Sequence, residues 1–114
     1  MVKQDRQSNK RKRYFHVYIY IETNGPMYSY LAEFFASLFI AYIILATGNP
    51  LAIGASYALA LLIIYRVSSA GINPAVTIMM AAAGKIPPSD IIPYSIMQIL
   101  GGLVALELFK RYGV

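Results

Sequence analysis

The sequence predicts an all-α membrane protein, with three transmembrane helices and one re-entrant half-helix. Three observations carry that class. The 114 residues are 58% hydrophobic and only 13% charged, too apolar for so small a domain to cover with polar surface. Three stretches approach or exceed the roughly 20 apolar residues that a helix needs to cross a hydrocarbon core. In addition, an Asn-Pro pair, Asn73-Pro74, starts a helix within sequence that otherwise reads as membrane.

Residues 1–27 form a basic segment ahead of the first span. Lys3, Arg6, Lys10, Arg11, Lys12 and Arg13 supply six of the ten basic residues, and the positive-inside tendency places this end in the cytosol. The run is short and precedes apolar helices, so it reads as a topology signal or a contact with anionic membrane lipid and not as a nucleic-acid arm. Tyr14 to Ile21 follow, too aromatic for the apolar region of a signal peptide and without a small-residue cleavage site. They suit the headgroup layer, and His16, the one histidine, sits among them as a surface residue.

Residues 28–114 form the membrane repeat, with spans expected at 28–47, 51–67 and 91–109. Gly48-Asn49-Pro50 is a turn joining the first two spans as an antiparallel hairpin. Ile86 to Asp90 break the chain again, and Ser89 or Asp90 is expected to cap the third span, with Pro93 tolerated in its first turn. Three crossings put the C-terminus outside. Arg66 and Lys85 then join the cytosolic side, and only Lys110 and Arg111 face out. The chain is an integral, multi-pass membrane protein on this reading.

Ser68 to Gly84 form neither a full crossing nor a polar loop. Asn73 is a favourable N-cap and Pro74 fits the first helical position, where its missing N–H costs nothing. A helix is expected over 74–83, about 15 Å long at 1.5 Å per residue, which is half a bilayer. Irregular backbone at that depth is tolerated only where it is buried in protein or lines a water-filled cavity. The N-terminus of the half-helix carries orphan N–H groups and about half a positive charge, and the Asn73 amide adds donors. A donor-rich midpoint favours the oxygen of a neutral polar solute and opposes cations.

The run Ser68-Ser69-Ala70-Gly71-Ile72-Asn73-Pro74-Ala75-Val76-Thr77 resembles the first signature loop of the aquaporin and glycerol-channel (major intrinsic protein) family, usually Ser-Gly-Ala-His-Ile-Asn-Pro-Ala-Val-Thr. Ala32-Glu33-Phe34-Phe35 resembles the start of the family's first span. Leu51-Ala52-Ile53-Gly54 falls where the second carries Leu-Ala-Phe-Gly, and Tyr94 to Gly102 resembles its Gln-containing third span. The resemblance covers residues 28 to 110 and implies the first half of such a channel, a single aquaporin-type repeat.

By that resemblance Asn73, Pro74 and Ala75 line a pore, together with Ile53, Gly71 and Val76. Glu33 accepts hydrogen bonds from the backbone of the re-entrant loop, with Gln98 and Ser68 supporting it. Gly71 stands in place of the usual histidine, which leaves the cytoplasmic mouth without that side chain. Ile53 stands where water-selective members place an aromatic ring, so the filter is expected to be wider or less polar. Val76 occupies the position where the family's second loop carries arginine after Asn-Pro-Ala.

The resemblance implies passive transport of water or small neutral solutes such as glycerol, with no cofactor. Family members carry two Asn-Pro-Ala half-helices tip to tip, and this sequence holds one. A pore therefore requires assembly, as a homo-oligomer or with a second aquaporin half. The alternative is a truncated or regulatory membrane protein without transport of its own. With no cysteine, one histidine and no clustered carboxylates, no catalytic or metal site is expected and the chain is not an enzyme.

Overall fold

The computed structural model describes residues 2–113, with side chains described at residues 9–12 and 27–113. The expectations for His16 and for the aromatic faces of Tyr14 to Ile21 lie outside those side chains. Four α-helices make up the fold among the described residues: α1 (Val2–Thr47), α2 (Pro50–Ile64), α3 (Pro74–Ala82) and α4 (Ile91–Tyr112), with a short 3-10 turn at Pro88–Asp90 before α4.

The helix ends follow local chemistry. At the end of α1 the Thr47 hydroxyl donates back to the Ile43 carbonyl at 2.7 Å, and Gly48 takes the left-handed conformation at φ +57°, which glycine adopts at no steric cost. Asn49 then caps α2, its Oδ1 accepting from Leu51 N at 2.9 Å and Ala52 N at 3.2 Å, with Pro50 at the first position. Lys110 and Arg111 lie in the last turn of α4, where cations complement the helix dipole.

The expected span 28–47 falls on the apolar segment Met27–Thr47, part of a longer helix, α1, that runs unbroken through Gly25-Pro26 from Val2. Two expectations are corrected. The second apolar helix is 15 residues, about 22 Å, shorter than the expected 51–67. It ends where the Ile64 carbonyl takes both Val67 N and Ser68 N, at 2.8 and 2.9 Å, turning the chain instead of extending the helix. Two segments, Met27–Thr47 and Pro88–Tyr112, are long and apolar enough to cross a membrane. Finally, neither Ser89 nor Asp90 caps α4 with its side chain. Asp90 Oδ1 instead accepts from the Tyr30 hydroxyl at 3.2 Å, a long-range bond that outcompetes the local one.

α4 lies along α1, α2 packs on α1 and not on α4, and α3 packs on α4. The α1–α4 crossing is close because Gly101 has no side chain: a Cβ there would sit 2.4 Å from the Phe34 carbonyl oxygen and 3.0 Å from Ser37 Cβ. Ala105, one turn on, is fully buried. Two apolar clusters form, one from Ala36, Ile40, Ala60, Ile64 and Ile72, the other from Ala70, Ala81, Ile86 and Tyr94. Both clusters include residues of the 65–73 connection or of α3 and its flanks, so the segment leading to α3 is embedded between the long helices.

Candidate functional site

The connection into α3 is held in an unusual backbone path. Gly71 and Ile72 are both left-handed, at φ +83° and +63°. For a β-branched residue such as Ile72 this is a genuine outlier, costing about 1–3 kcal/mol, and it persists because the Ile72 side chain is packed among Ala36, Ile40, Ala60 and Ile64. Gly71 has a second reason to be glycine: a Cβ would fall 2.2 Å from Val76 Cγ1. The histidine usual at this place in the resembled motif is therefore incompatible with this turn as built. The Gly71 carbonyl accepts from the Tyr57 hydroxyl of α2.

Asn73 follows in extended conformation, φ −154° and ψ 130°, and caps α3 with Pro74 at the first helical position. Its side-chain oxygen faces Ala75 N at 2.8 Å. A backbone N–H can only donate, so that atom is the amide oxygen. The cap uses the amide oxygen and not the Asn73 NH₂, and both Asn73 and Ala75 are exposed. A nine-residue helix thus starts from an exposed amide at the positive end of its dipole.

Beneath this tip lies a buried polar cluster. Glu33 on α1 is fully buried. Its Oε1 accepts from Ser68 Oγ at 2.6 Å and its Oε2 from Gln98 Nε2 at 3.2 Å. Gln98 also donates to Thr77 Oγ1 at 2.8 Å, and Thr77 donates to the carbonyls of Ala70 at 2.7 Å and Asn73 at 3.0 Å. Ser68 in turn accepts from Ala70 N at 3.2 Å. Glu33 was expected to bond the loop backbone directly; among the described residues it does so through the Ser68 hydroxyl. An ionisable group at this depth is costly unless satisfied, and here both carboxylate oxygens have donors.

The structure brings Glu33, Ser68 and Gln98 into one network and places Asn73, Pro74, Ala75, Gly71 and Val76 around one turn. Ile53 stands apart, half-buried near the start of α2, and α2 and α3 do not pack on one another. α2 reaches the turn through Tyr57, Ala60 and Ile64 instead. Sequence reasoning passed over Thr77, Ala70 and Tyr57. Thr77 lies four residues after Asn73 inside the motif, and a tyrosine in the middle of an apolar helix needs a partner for its hydroxyl. Those were the available signals.

Comparison with known proteins bears on this arrangement. Residues 21–113 match the major intrinsic protein family. The chain belongs to that family. It is similar to a glycerol uptake facilitator protein-like 6 of Lactiplantibacillus plantarum, 34% identical over 95 residues, covering 75% of this chain and 44% of the relative. It is also similar to an Aquaporin Z of Bradyrhizobium diazoefficiens, 43% identical over 61 residues, covering 54% of this chain and 25% of the relative. A probable aquaporin AqpM of Archaeoglobus fulgidus is 41% identical over 66 residues, covering 54% and 27%. The chain thus spans less than half the length of these curated relatives. No solved structure gives a significant match. As a member of this family with two membrane-length apolar helices, the chain is an all-α integral membrane protein and not an enzyme.

Proposed function

We propose that the chain forms one half of a channel for passive transport of water and small neutral solutes such as glycerol. The observation that carries this reading is the tip of α3, where Asn73 Oδ1 is tied to Ala75 N, which leaves the amide NH₂ of an exposed residue for another partner. Donors at the positive end of a helix dipole donate to the oxygen of a neutral solute, and the dipole repels cations. The relatives' names cover both water and glycerol. Ile53, aliphatic where water-selective members of the family carry an aromatic ring, favours a passage that admits glycerol.

The pore is completed by assembly. Ala75, Ile78, Met79 and Ala82 expose one face of α3 and Asn73 is exposed at its cap, and a polar tip at membrane depth needs a covering surface. A second copy or a separate aquaporin half supplies it. The six basic residues before Tyr14 support a cytosolic N-terminus, with α3 entering from the cytosolic side. That fixed orientation favours a separate half over two copies in opposite orientations. The second reading, a membrane protein without transport of its own, rests on the single half-helix.

The test is osmotic shrinkage of liposomes reconstituted with the purified chain, run with water, glycerol and urea as permeants. Faster shrinkage than empty vesicles, with glycerol entry following, supports the proposal for this chain alone. A rate equal to that of empty vesicles rules out a self-sufficient channel. Ready passage of water with glycerol and urea excluded refutes the role given to Ile53.

A further inference from the structure

We infer that Thr77 is a positioning residue: its hydroxyl closes a hydrogen-bonded ring, and that ring holds the turn that carries Asn73. The ring joins five residues on three helices and one connection. It begins and ends on the peptide groups of Ala70, which is fully buried.

The direction of each bond follows from what its atoms can do. Ala70 N–H only donates, and the oxygen it meets is Ser68 Oγ at 3.2 Å. The Ser68 proton then goes to Glu33 Oε1 at 2.6 Å. On the other arm, the Ala70 carbonyl only accepts, so the Thr77 proton points toward it at 2.7 Å, shared with the Asn73 carbonyl at 3.0 Å. Having committed its one proton, Thr77 Oγ1 receives from Gln98 at 2.8 Å, and the Gln98 atom there is the nitrogen. The other hydrogen of that NH₂ reaches Glu33 Oε2 at 3.2 Å. Both arms leave Ala70 and converge on an acceptor-only carboxylate.

This polarity is maintained at a cost. Gln98 Oε1 is buried without a partner among the described residues, and such an acceptor would ordinarily turn the amide over. Turning it would set the amide oxygen against the Glu33 carboxylate and against a Thr77 oxygen whose proton is already used. Thr77 and the Glu33 carboxylate therefore hold Gln98 in one orientation together, Thr77 through the shorter bond, and Gln98 ties α4 to both Glu33 and α3. Removing the hydroxyl also strips the Ala70 carbonyl of its buried donor. The strained Gly71-Ile72 pair then loses the clamp on its N-terminal side.

The inference concerns the architecture beneath the tip and stands or falls separately from transport. The test uses the full chain in detergent micelles as wild type, Thr77→Val and Thr77→Ser, read by NMR of the Gln98 side-chain NH₂ and by amide hydrogen exchange at Gly71 and Ile72. Valine keeps the shape and removes the hydroxyl; serine restores it. In Thr77→Val, exchange at the Gln98 NH₂ and at the turn rises about tenfold, the effect of losing one buried hydrogen bond, while core amides of α1 and α4 keep their protection. Thr77→Ser returns to within about twofold of wild type. Unchanged Gln98 protection in Thr77→Val, or no rescue by serine, overturns the inference. Should Thr77→Val not fold, the wild type decides: contacts between the Gln98 NH₂ protons and Thr77 are expected, and their absence refutes the ring.

Discussion

Gly71→Ala tests the turn that aims α3. At φ +83° an L-residue pays roughly 1–2 kcal/mol for the left-handed backbone. The added Cβ also lies 2.2 Å from Val76 Cγ1 and 3.0 Å from Val76 Cβ. Val76 is only half-buried, so its side chain relieves the first contact by leaving its rotamer, at about 1 kcal/mol. Gly71→Ala therefore destabilises by about 2–3 kcal/mol in total. In a Val76→Ala background Cγ1 is gone and only the 3.0 Å contact with Cβ remains, so the same substitution costs little beyond the backbone part, about 1–2 kcal/mol. The assay is a double-mutant cycle on unfolding of the micelle-solubilised chain, followed by circular dichroism as the fraction of denaturing detergent rises. A coupling near 1 kcal/mol is expected, well above the few tenths that mark independent sites. Two outcomes refute the reasoning: a neutral Gly71→Ala, which would mean the turn is not left-handed, or strict additivity, which would mean that Val76 does not face Gly71.

Two further substitutions probe the packing and the buried carboxylate. Gly101→Ala forces backbone apart, since the new Cβ meets Phe34 O at 2.4 Å and Leu38 N at 3.1 Å, and is expected to cost about 2–3 kcal/mol in the same unfolding assay. Its neighbour is the control, because a Cβ at Gly102 meets nothing within 4 Å, so Gly102→Ala is neutral or stabilising by up to about 1 kcal/mol. Glu33→Gln keeps the shape but brings an NH₂ to a site where Ser68 and Gln98 both donate. One buried group is left unpaired, for an expected loss of about 1–3 kcal/mol; a variant as stable as wild type would contradict the polarity assigned to Glu33.

What could be read from the amino-acid order was mostly what local chemistry decides. Asn49-Pro50 and Asn73-Pro74 each combine a capping side chain with a residue pre-set for the first helical turn, and both start helices where that chemistry requires. The expectation failed at Asp90, where a tyrosine sixty residues away claims the carboxylate, and no local pattern announces such a partner. Gly71 was legible only as a missing histidine, because its positive φ and its closeness to Val76 depend on how the turn is pinned by Tyr57 and Ile72. Glu33, Ser68 and Gln98 were singled out by family resemblance. Thr77, which links Gln98 to the loop backbone, was missed since its role arises only when α3 and α4 meet. Continuity of α1 through Gly25-Pro26 ran against the ordinary effect of proline inside a helix.

Whether the tip of α3 faces water is tested most directly by thiol accessibility. The sequence contains no cysteine, so Ala75→Cys gives a single reactive group on an exposed position beside Asn73, at a helix N-terminus that favours the thiolate. Leu103→Cys, 55% exposed on α4, reports a surface expected to face lipid. In native membranes, where any partner half is present, the account predicts that a charged thiol reagent modifies Ala75→Cys at least about tenfold faster than Leu103→Cys, because only thiolate in contact with water reacts. Equal, slow modification of the two would place the tip in lipid and contradict the assignment of Asn73 to a pore.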